Sequence, residues 1–247
     1  MKYALITGAS SGIGLELAKV FGYNGYTLII NGSDAKRLED ARDFLERVTL
    51  AEVHPIVIDL TEKGAARTLY EKTCEITENV DILINNAGFG LIGASDETDM
   101  DREEQMLMLS VINTTLITRL FYSDMKKKGT GIILNVASTG AFQPGPYTAS
   151  YYASKSYLLN YSKAVHEEAK EHGVQISVLC PGSTSTGFFE KAGSKKPLFA
   201  MNPEKVAKTA YRQVLEGKEI IIPGIVNRAM IKFPEKLKVK AIKKVKK

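Results

Sequence analysis

Two rhythms alternate along the chain. Short, mostly apolar runs occur at residues 2–7, 26–30, 53–58, 80–84, 131–136, 174–179 and 219–222. Runs of this length read as strands buried on both faces. Pro55 weakens the start of the third, because proline cannot donate to a ladder. Between the runs, apolar residues return every three or four positions. Leu38, Ala41, Leu45 and Val48 mark a helix over 34–48, and the same spacing predicts helices over 13–22, 61–77, 101–128, 150–172 and 203–217. Gly173 fits a helix C-cap, and Asn202 followed by Pro203 fits a helix start.

Seven strands alternating with six helices predict an α/β fold: a doubly wound parallel sheet of the Rossmann type, with helices on both faces. No linker, repeat or low-complexity stretch divides the pattern, so residues 1–247 are expected to form one domain. The longest irregular region is 186–201, and the chain after Val226 is a second loose candidate.

Composition changes this picture in one place. The 247 residues are 44% hydrophobic and 25% charged, an ordinary globular balance. Cys74 and Cys180 lack metal or redox spacing, as do His54, His166 and His172, so neither metal nor disulfide is expected. The N-terminal apolar run is too short for a secretory signal, and no stretch is expected to span a bilayer, which makes the cytoplasm the expected location. The net charge of +5 is uneven. Residues 225–247 hold nine basic side chains against Glu235 alone, a local +8, so the remainder carries −3. No nucleic-acid partner is expected of such a body. The basic tail, with Phe233, Leu237, Val239, Ile242 and Val245 among its lysines, can be written as an amphipathic helix on an anionic membrane. A solvated, frayed end is the favoured reading.

The chemistry begins at residues 7–14, Thr-Gly-Ala-Ser-Ser-Gly-Ile-Gly, between the first strand and first helix. Gly8 permits the tight turn, Gly12 lets backbone approach a pyrophosphate, and Gly14 lets the helix lie against the sheet. Free N–H groups at the helix start, next to Ile13, favour phosphate, and Ser10 and Ser11 add hydroxyl donors. Further elements follow in order: Asp59-Leu60 at the end of the third strand, Asn85-Asn86-Ala87-Gly88 at the end of the fourth, Ser138, Tyr151 and Lys155, then Pro181-Gly182 with Thr184 and Thr186.

This series resembles the short-chain dehydrogenase/reductase family over residues 2–187. The resemblance implies an enzyme that moves hydride between a nicotinamide dinucleotide and a carbonyl/alcohol pair. It assigns Gly8, Ser10, Ser11, Gly12, Ile13 and Gly14 to the pyrophosphate, Asp59 and Leu60 to the adenine, and Asn86, Ala87 and Gly88 to coenzyme binding. It gives Pro181, Gly182, Thr184 and Thr186 to the nicotinamide clamp. Ser138, Tyr151 and Lys155 become the catalytic set, with Lys155 also holding the nicotinamide ribose. Tyr-x-x-x-Lys occurs twice, but Tyr122/Lys126 lies deep in a helix without a serine thirteen residues before it, and reads as a surface pair. A free tyrosine titrates near 10, so a neighbouring ammonium is expected to pull Tyr151 down toward neutrality. A dinucleotide-binding sensor without turnover is the rival reading.

The family's helical asparagine, some 27–28 residues before the serine, is missing. Val111 or Ser110 stands there and Asn113 is one turn away: either Ser110 replaces it, or Asn113 serves from a shifted register, or the proton relay is weakened. The coenzyme is expected to be NADP(H) rather than NAD(H). Gly32 occupies the place of the ribose-binding acid, Asn31 and Ser33 can donate to a 2′-phosphate, and Lys36 and Arg37 follow; Asp34 is the counter-argument. Residues 187–201 are expected to form a lid, with Phe188, Phe189, Leu198 and Phe199 as apolar wall and Lys191, Lys195 and Lys196 as attractors of acidic substrate. Phe142 and Tyr147 would supply the other wall. The resemblance also implies a homodimer or homotetramer through helices 101–128 and 150–172.

Overall fold

A computed structural model describes residues 1–192 and 200–246. Seven strands form one parallel sheet: β1 (Tyr3–Thr7), β2 (Thr27–Gly32), β3 (Val53–Val57), β4 (Ile82–Asn85), β5 (Gly131–Val136), β6 (Val174–Leu179) and β7 (Ile220–Ile221). Their order is β3-β2-β1-β4-β5-β6-β7. The chain winds outward in one direction from β1 and in the other from β4, so the crevice for a ligand opens at the carboxyl ends of these two neighbours.

Period-two alternation explains why the sheet is covered twice. In β1, Ala4 and Ile6 face one core and Leu5 the other; in β4, Ile82 and Ile84 oppose Leu83 in the same way. The first core is closed by α1 (Gly12–Tyr23), α2 (Ala35–Thr49) and α8 (Pro203–Leu215). There Phe21 is fully buried, edge-on to Tyr26 at 5.2 Å and to Tyr211 at 5.0 Å, which ties α1, β2 and α8 together. The second core is closed by α3 (Ala65–Ile76), α5 (Thr114–Lys128) and α6 (Ala149–Lys170).

Four expectations are corrected. The helix expected from Thr61 begins only at Ala65. Asn113 donates its carboxamide N–H groups to the carbonyls of Leu60 and Glu62, both at 2.8 Å, and holds that loop out of helical form. The long helix is three pieces: α4 (Met100–Leu107), a π turn over Met108–Asn113, and α5. Over 100–128 it is long and apolar enough to cross a membrane by length and composition, contrary to expectation. Here Ile117, Thr118, Phe121 and Met125 are buried against the sheet and α3. The chain after Val226 is not loose. Beyond the four-residue α7 (Phe188–Lys191) and α8, it forms α9 (Ile225–Met230) and α10 (Glu235–Lys246). The expected apolar stripe splits: Val239 and Ile242 of α10 are half-buried, whereas Leu237 and the preceding Phe233 stay exposed; the side chain of Val245 lies outside the described residues. Lys195, Lys196, Leu198 and Phe199 lie outside them too, as do the side chains of Phe189 and Lys191.

Candidate active site

The crevice is framed first by glycines. Gly8 and Gly12 have φ of +63° and +60°, which side chains rarely adopt. A Cβ on Gly8 would stand 2.8 Å from the Ala87 Cα, and one on Gly14 would collide with the Gly8 carbonyl and the Asn86 carboxamide. Backbone therefore lies open around the start of α1, where unpaired N–H groups favour phosphate. Asn86 stitches this turn to β4: its Nδ2 donates to the carbonyls of Thr7 (2.9 Å) and Gly8 (3.1 Å). Thr7 Oγ1 accepts from the Asn86 and Ala87 amides in return. A Cβ on Gly12 would meet Thr186 at 3.1 Å, so the loop after β6 closes the same crevice from the far side. Met201 backbone pairs with Ser183 and Ser185 and braces that loop.

At the end of β2 the structure separates groups the sequence could not. Asn31 is buried and donates to the carbonyls of Ile56 and Ile58, both at 3.1 Å. Its amide is spent on β3, which corrects the expectation that it reaches a phosphate. Asp34 caps α2, accepting the Arg37 amide at 2.9 Å. Ser33, Lys36 and Arg37 are exposed, and Gly32 lies beside Ser10. Asp59 is exposed and accepts from both the amide and the hydroxyl of Thr61, whereas Leu60 is buried. Pro181 is buried and accepts the Thr139 amide; Thr184 donates its hydroxyl to the Gly182 carbonyl.

Ser138, Tyr151 and Lys155 come together where β5 ends and α6 begins. Ser138 caps the 3-10 turn Thr139–Phe142, its oxygen accepting the Gly140 amide at 3.0 Å, which leaves the hydroxyl proton to donate elsewhere. Burial holds Tyr151 well above the ordinary value of 10, and the neighbouring Ser138 hydroxyl, which favours the ionised phenol, offsets this only in part. Lys155 Nζ donates to the Val136 carbonyl at 3.0 Å and lies 5.7 Å from the centre of the Tyr151 ring. Burial pushes this amine down to about 8. The expected pull of Lys155 on Tyr151 does not govern the phenol in this state: desolvation wins for both groups, raising the acid and lowering the base. The buried Cys180 thiol beside them is pushed up to about 12. Lys155 Nζ also faces Gly88, at 3.5 Å from where a Cβ would stand.

Phe188 from α7 lies 5.4 Å from the Tyr151 ring, and a Cβ on Gly90 would touch both, so an apolar wall stands against the phenol. A small cleft beside Tyr151 is lined by Leu91, Thr98, Glu103, Tyr147 and Ser150. Glu103 accepts the Ser150 hydroxyl, and Gly93 N–H donates to the Tyr147 carbonyl at 2.9 Å, so the loop after β4 and the start of α6 are cross-braced. Neither Glu103 nor Ser150 carries a recognisable motif. Tyr122 lies elsewhere, donating to the Glu168 carbonyl at 3.3 Å.

Of the two candidates on the long helix, Asn113 is excluded from the site by its bonds to Leu60 and Glu62 and a third from the Ala66 amide at 3.4 Å. Ser110 is buried in the π turn, and its hydroxyl has no hydrogen-bond partner among the described residues. A buried chain the sequence reading missed runs nearby. Asn85 donates to Thr118 and Asn135, at 3.0 and 2.9 Å, and Asn135 donates to Ser162 at 2.9 Å. Asn135 inside the run 131–136, and Asn85 just past the run 80–84, were the available signal.

A seven-stranded nucleotide-binding sheet with this crevice defines a class, and likeness to known proteins narrows it. The chain belongs to the short chain dehydrogenase family, whose profile matches residues 2–197. It is 29% identical over 229 residues to an uncharacterised oxidoreductase of Staphylococcus saprophyticus, covering 92% of this chain and 97% of that one. Among solved structures, a short-chain dehydrogenase from Sphingobium yanoikuyae in complex with NADPH superposes with a TM-score of 0.86 at 26% identity, covering 91% of this chain and 89% of that one. A Burkholderia phymatum enzyme in complex with NAD gives 0.85 at 23% identity over 93% and 91%, a likeness of fold alone. The protein is an NAD(P)-dependent oxidoreductase that transfers hydride between a nicotinamide dinucleotide and a small-molecule alcohol or carbonyl. The sensor without turnover finds no support.

Proposed function

We propose that Tyr151 is the acid/base of this oxidoreductase, with Ser138 holding the substrate oxygen and Lys155 stabilising the phenolate. The observation that carries this is the convergence of the three groups at the end of β5: Ser138 and Tyr151 are half-buried side by side, and Lys155 is buried and tethered to the Val136 carbonyl. The bound nicotinamide supplies or accepts the hydride. Held above its ordinary value, Tyr151 is protonated at neutral pH and suited to donate to a carbonyl oxygen as it gains negative charge. Ser138 orients that oxygen through its free proton. Tyr151→Phe is expected to lower kcat by about 10²–10⁴-fold with the fold intact. Tyr122→Phe is expected to change it little, and equal losses in the two variants would sink the assignment.

Residues 1–247 are taken as a single coenzyme-binding domain located in the cytoplasm. The open backbone at Gly8, Gly12 and Gly14 fits a pyrophosphate, together with Ser10, Ser11 and Ile13. Asn86, Ala87 and Gly88 flank the coenzyme; Asp59 and Leu60 take the adenine; Pro181, Gly182, Thr184 and Thr186 take the nicotinamide; Lys155 takes its ribose. The preferred coenzyme is NADP(H). Asp34 is engaged as the cap of α2, while Ser33, Lys36 and Arg37, which follow Gly32 in the chain, stand exposed. Steady-state kinetics with both coenzymes test this: kcat/KM for NADPH should exceed that for NADH, and the reverse order would return the ribose to Asp34.

A further inference from the structure

The basic tail also carries the densest cluster of exposed large apolar side chains among the described residues. Ile225, Val226, Met230, Phe233 and Leu237 are 77%, 70%, 56%, 58% and 59% exposed. They lie within thirteen residues on α9, α10 and the turn between them. Solitary exposed apolar residues are ordinary, but a run of this size has a use. Arg228, Lys232, Lys236, Lys240, Lys243 and Lys244 are exposed on the same segment, with Glu235 the only acid.

The segment is fastened to the body, which fixes the direction its surface faces. Lys238 is the lysine that turns inward, donating to the carbonyls of Phe142 (3.1 Å) and Ile231 (3.0 Å). Val239 and Ile242 follow it inward at helical spacing, so Lys236, Lys240, Lys243 and Lys244 are directed away from the body. At the other end, Asn227 packs its side chain on Gly182 and donates to the Pro223 carbonyl at 2.7 Å. Phe142 ends the turn that starts at Ser138, and Gly182 belongs to the loop that closes the crevice. The exposed patch therefore adjoins the mouth of the site.

We propose that α9 and α10 form a peripheral docking surface for an anionic lipid bilayer, which holds the mouth of the active site against the membrane. Charge complementarity selects the partner. The tail carries +8 and the rest of the chain −3, so an anionic surface attracts this face and repels the others. The apolar prongs favour lipid over nucleic acid, since Met230, Phe233 and Leu237 gain by leaving water among acyl chains and gain nothing on a phosphate backbone.

Co-sedimentation of the full chain with vesicles tests this directly. Binding is expected to vesicles of mixed phosphatidylcholine and phosphatidylglycerol, to be weak on phosphatidylcholine alone, and to fall with added salt. Replacing Lys236, Lys240, Lys243 and Lys244 with glutamine should weaken binding by roughly fivefold per lysine. The triple change Met230→Ser, Phe233→Ser, Leu237→Ser should weaken it at least tenfold while leaving turnover of a water-soluble carbonyl and the unfolding temperature unchanged. Equal binding to neutral vesicles, or anionic binding untouched by the triple change, would overturn the proposal. So would a triple variant whose only defect is a smaller assembly by light scattering, since a second copy of the chain would then be what covers the patch.

Discussion

At the scale of the residue, Lys155 stores a cost that function requires. Its amine falls to about 8 in the fold against 10.5 when unfolded. Between these values the unfolded chain holds a proton that the folded chain has released, so stability rises with pH across that window. Below pH 8 the charged amine is buried at a penalty on the order of 3 kcal/mol. Its bond to Val136 returns about 1 kcal/mol. Lys155→Met should therefore unfold at a higher temperature than the parent at pH 7, with a smaller gap at pH 10, and should be nearly inactive. A less stable methionine variant at pH 7 would show that the amine is better solvated than its burial implies. The motif made Lys155 legible; the reversal of the expected Tyr151 shift was not, because desolvation depends on the whole shell around the phenol.

At the scale of the element, the π turn decides which polar residue faces where. One wide turn over Met108–Asn113 is marked by Thr114 Oγ1 donating to the Leu109 carbonyl, five residues back, at 2.8 Å. With 3.6-residue counting alone, Ser110 and Asn113 could not be separated. The structure turns Asn113 toward the loop after β3 and leaves Ser110 buried on its own side. Asn113→Ala would leave the carbonyls of Leu60 and Glu62 without their donor, and is expected to cost about 2–4 kcal/mol. Urea unfolding should show a lower midpoint at unchanged slope, with kcat of the remaining folded enzyme altered little. An unchanged midpoint would mean that water replaces the amide.

At the scale of the whole molecule, the outer faces of α4, the π turn and α6 expose Leu107, Ile112 and Tyr157. Tyr157 stacks on Tyr161 at 5.9 Å and shares a hydrogen bond with Thr115 at 3.1 Å, which gives this face a rigid aromatic ridge. A homodimer or homotetramer paired across these helices is expected, with a symmetric interface. Light scattering at micromolar concentration should give a mass of two or four chains, and a monomer would remove the idea.

The sequence alone determined what is local. Strand and helix order followed from periodicity, the glycine turn from residues within eight positions, and the Tyr151/Lys155 pair from one helical turn. Each of these patterns is enforced over a few bonds, so it is written in neighbouring residues. Only the tertiary structure decided the fate of side chains whose partners lie far along the chain. Asn31 was free to contact a phosphate until Ile56 and Ile58 took its amide, and Asn113 was a catalytic candidate until Leu60 took its own, 53 residues away. The tail could have hung in solvent until the Phe142 carbonyl, 96 residues from Lys238, held it to the body. A buried polar group must find a partner wherever the fold supplies one, and no local rule names that partner.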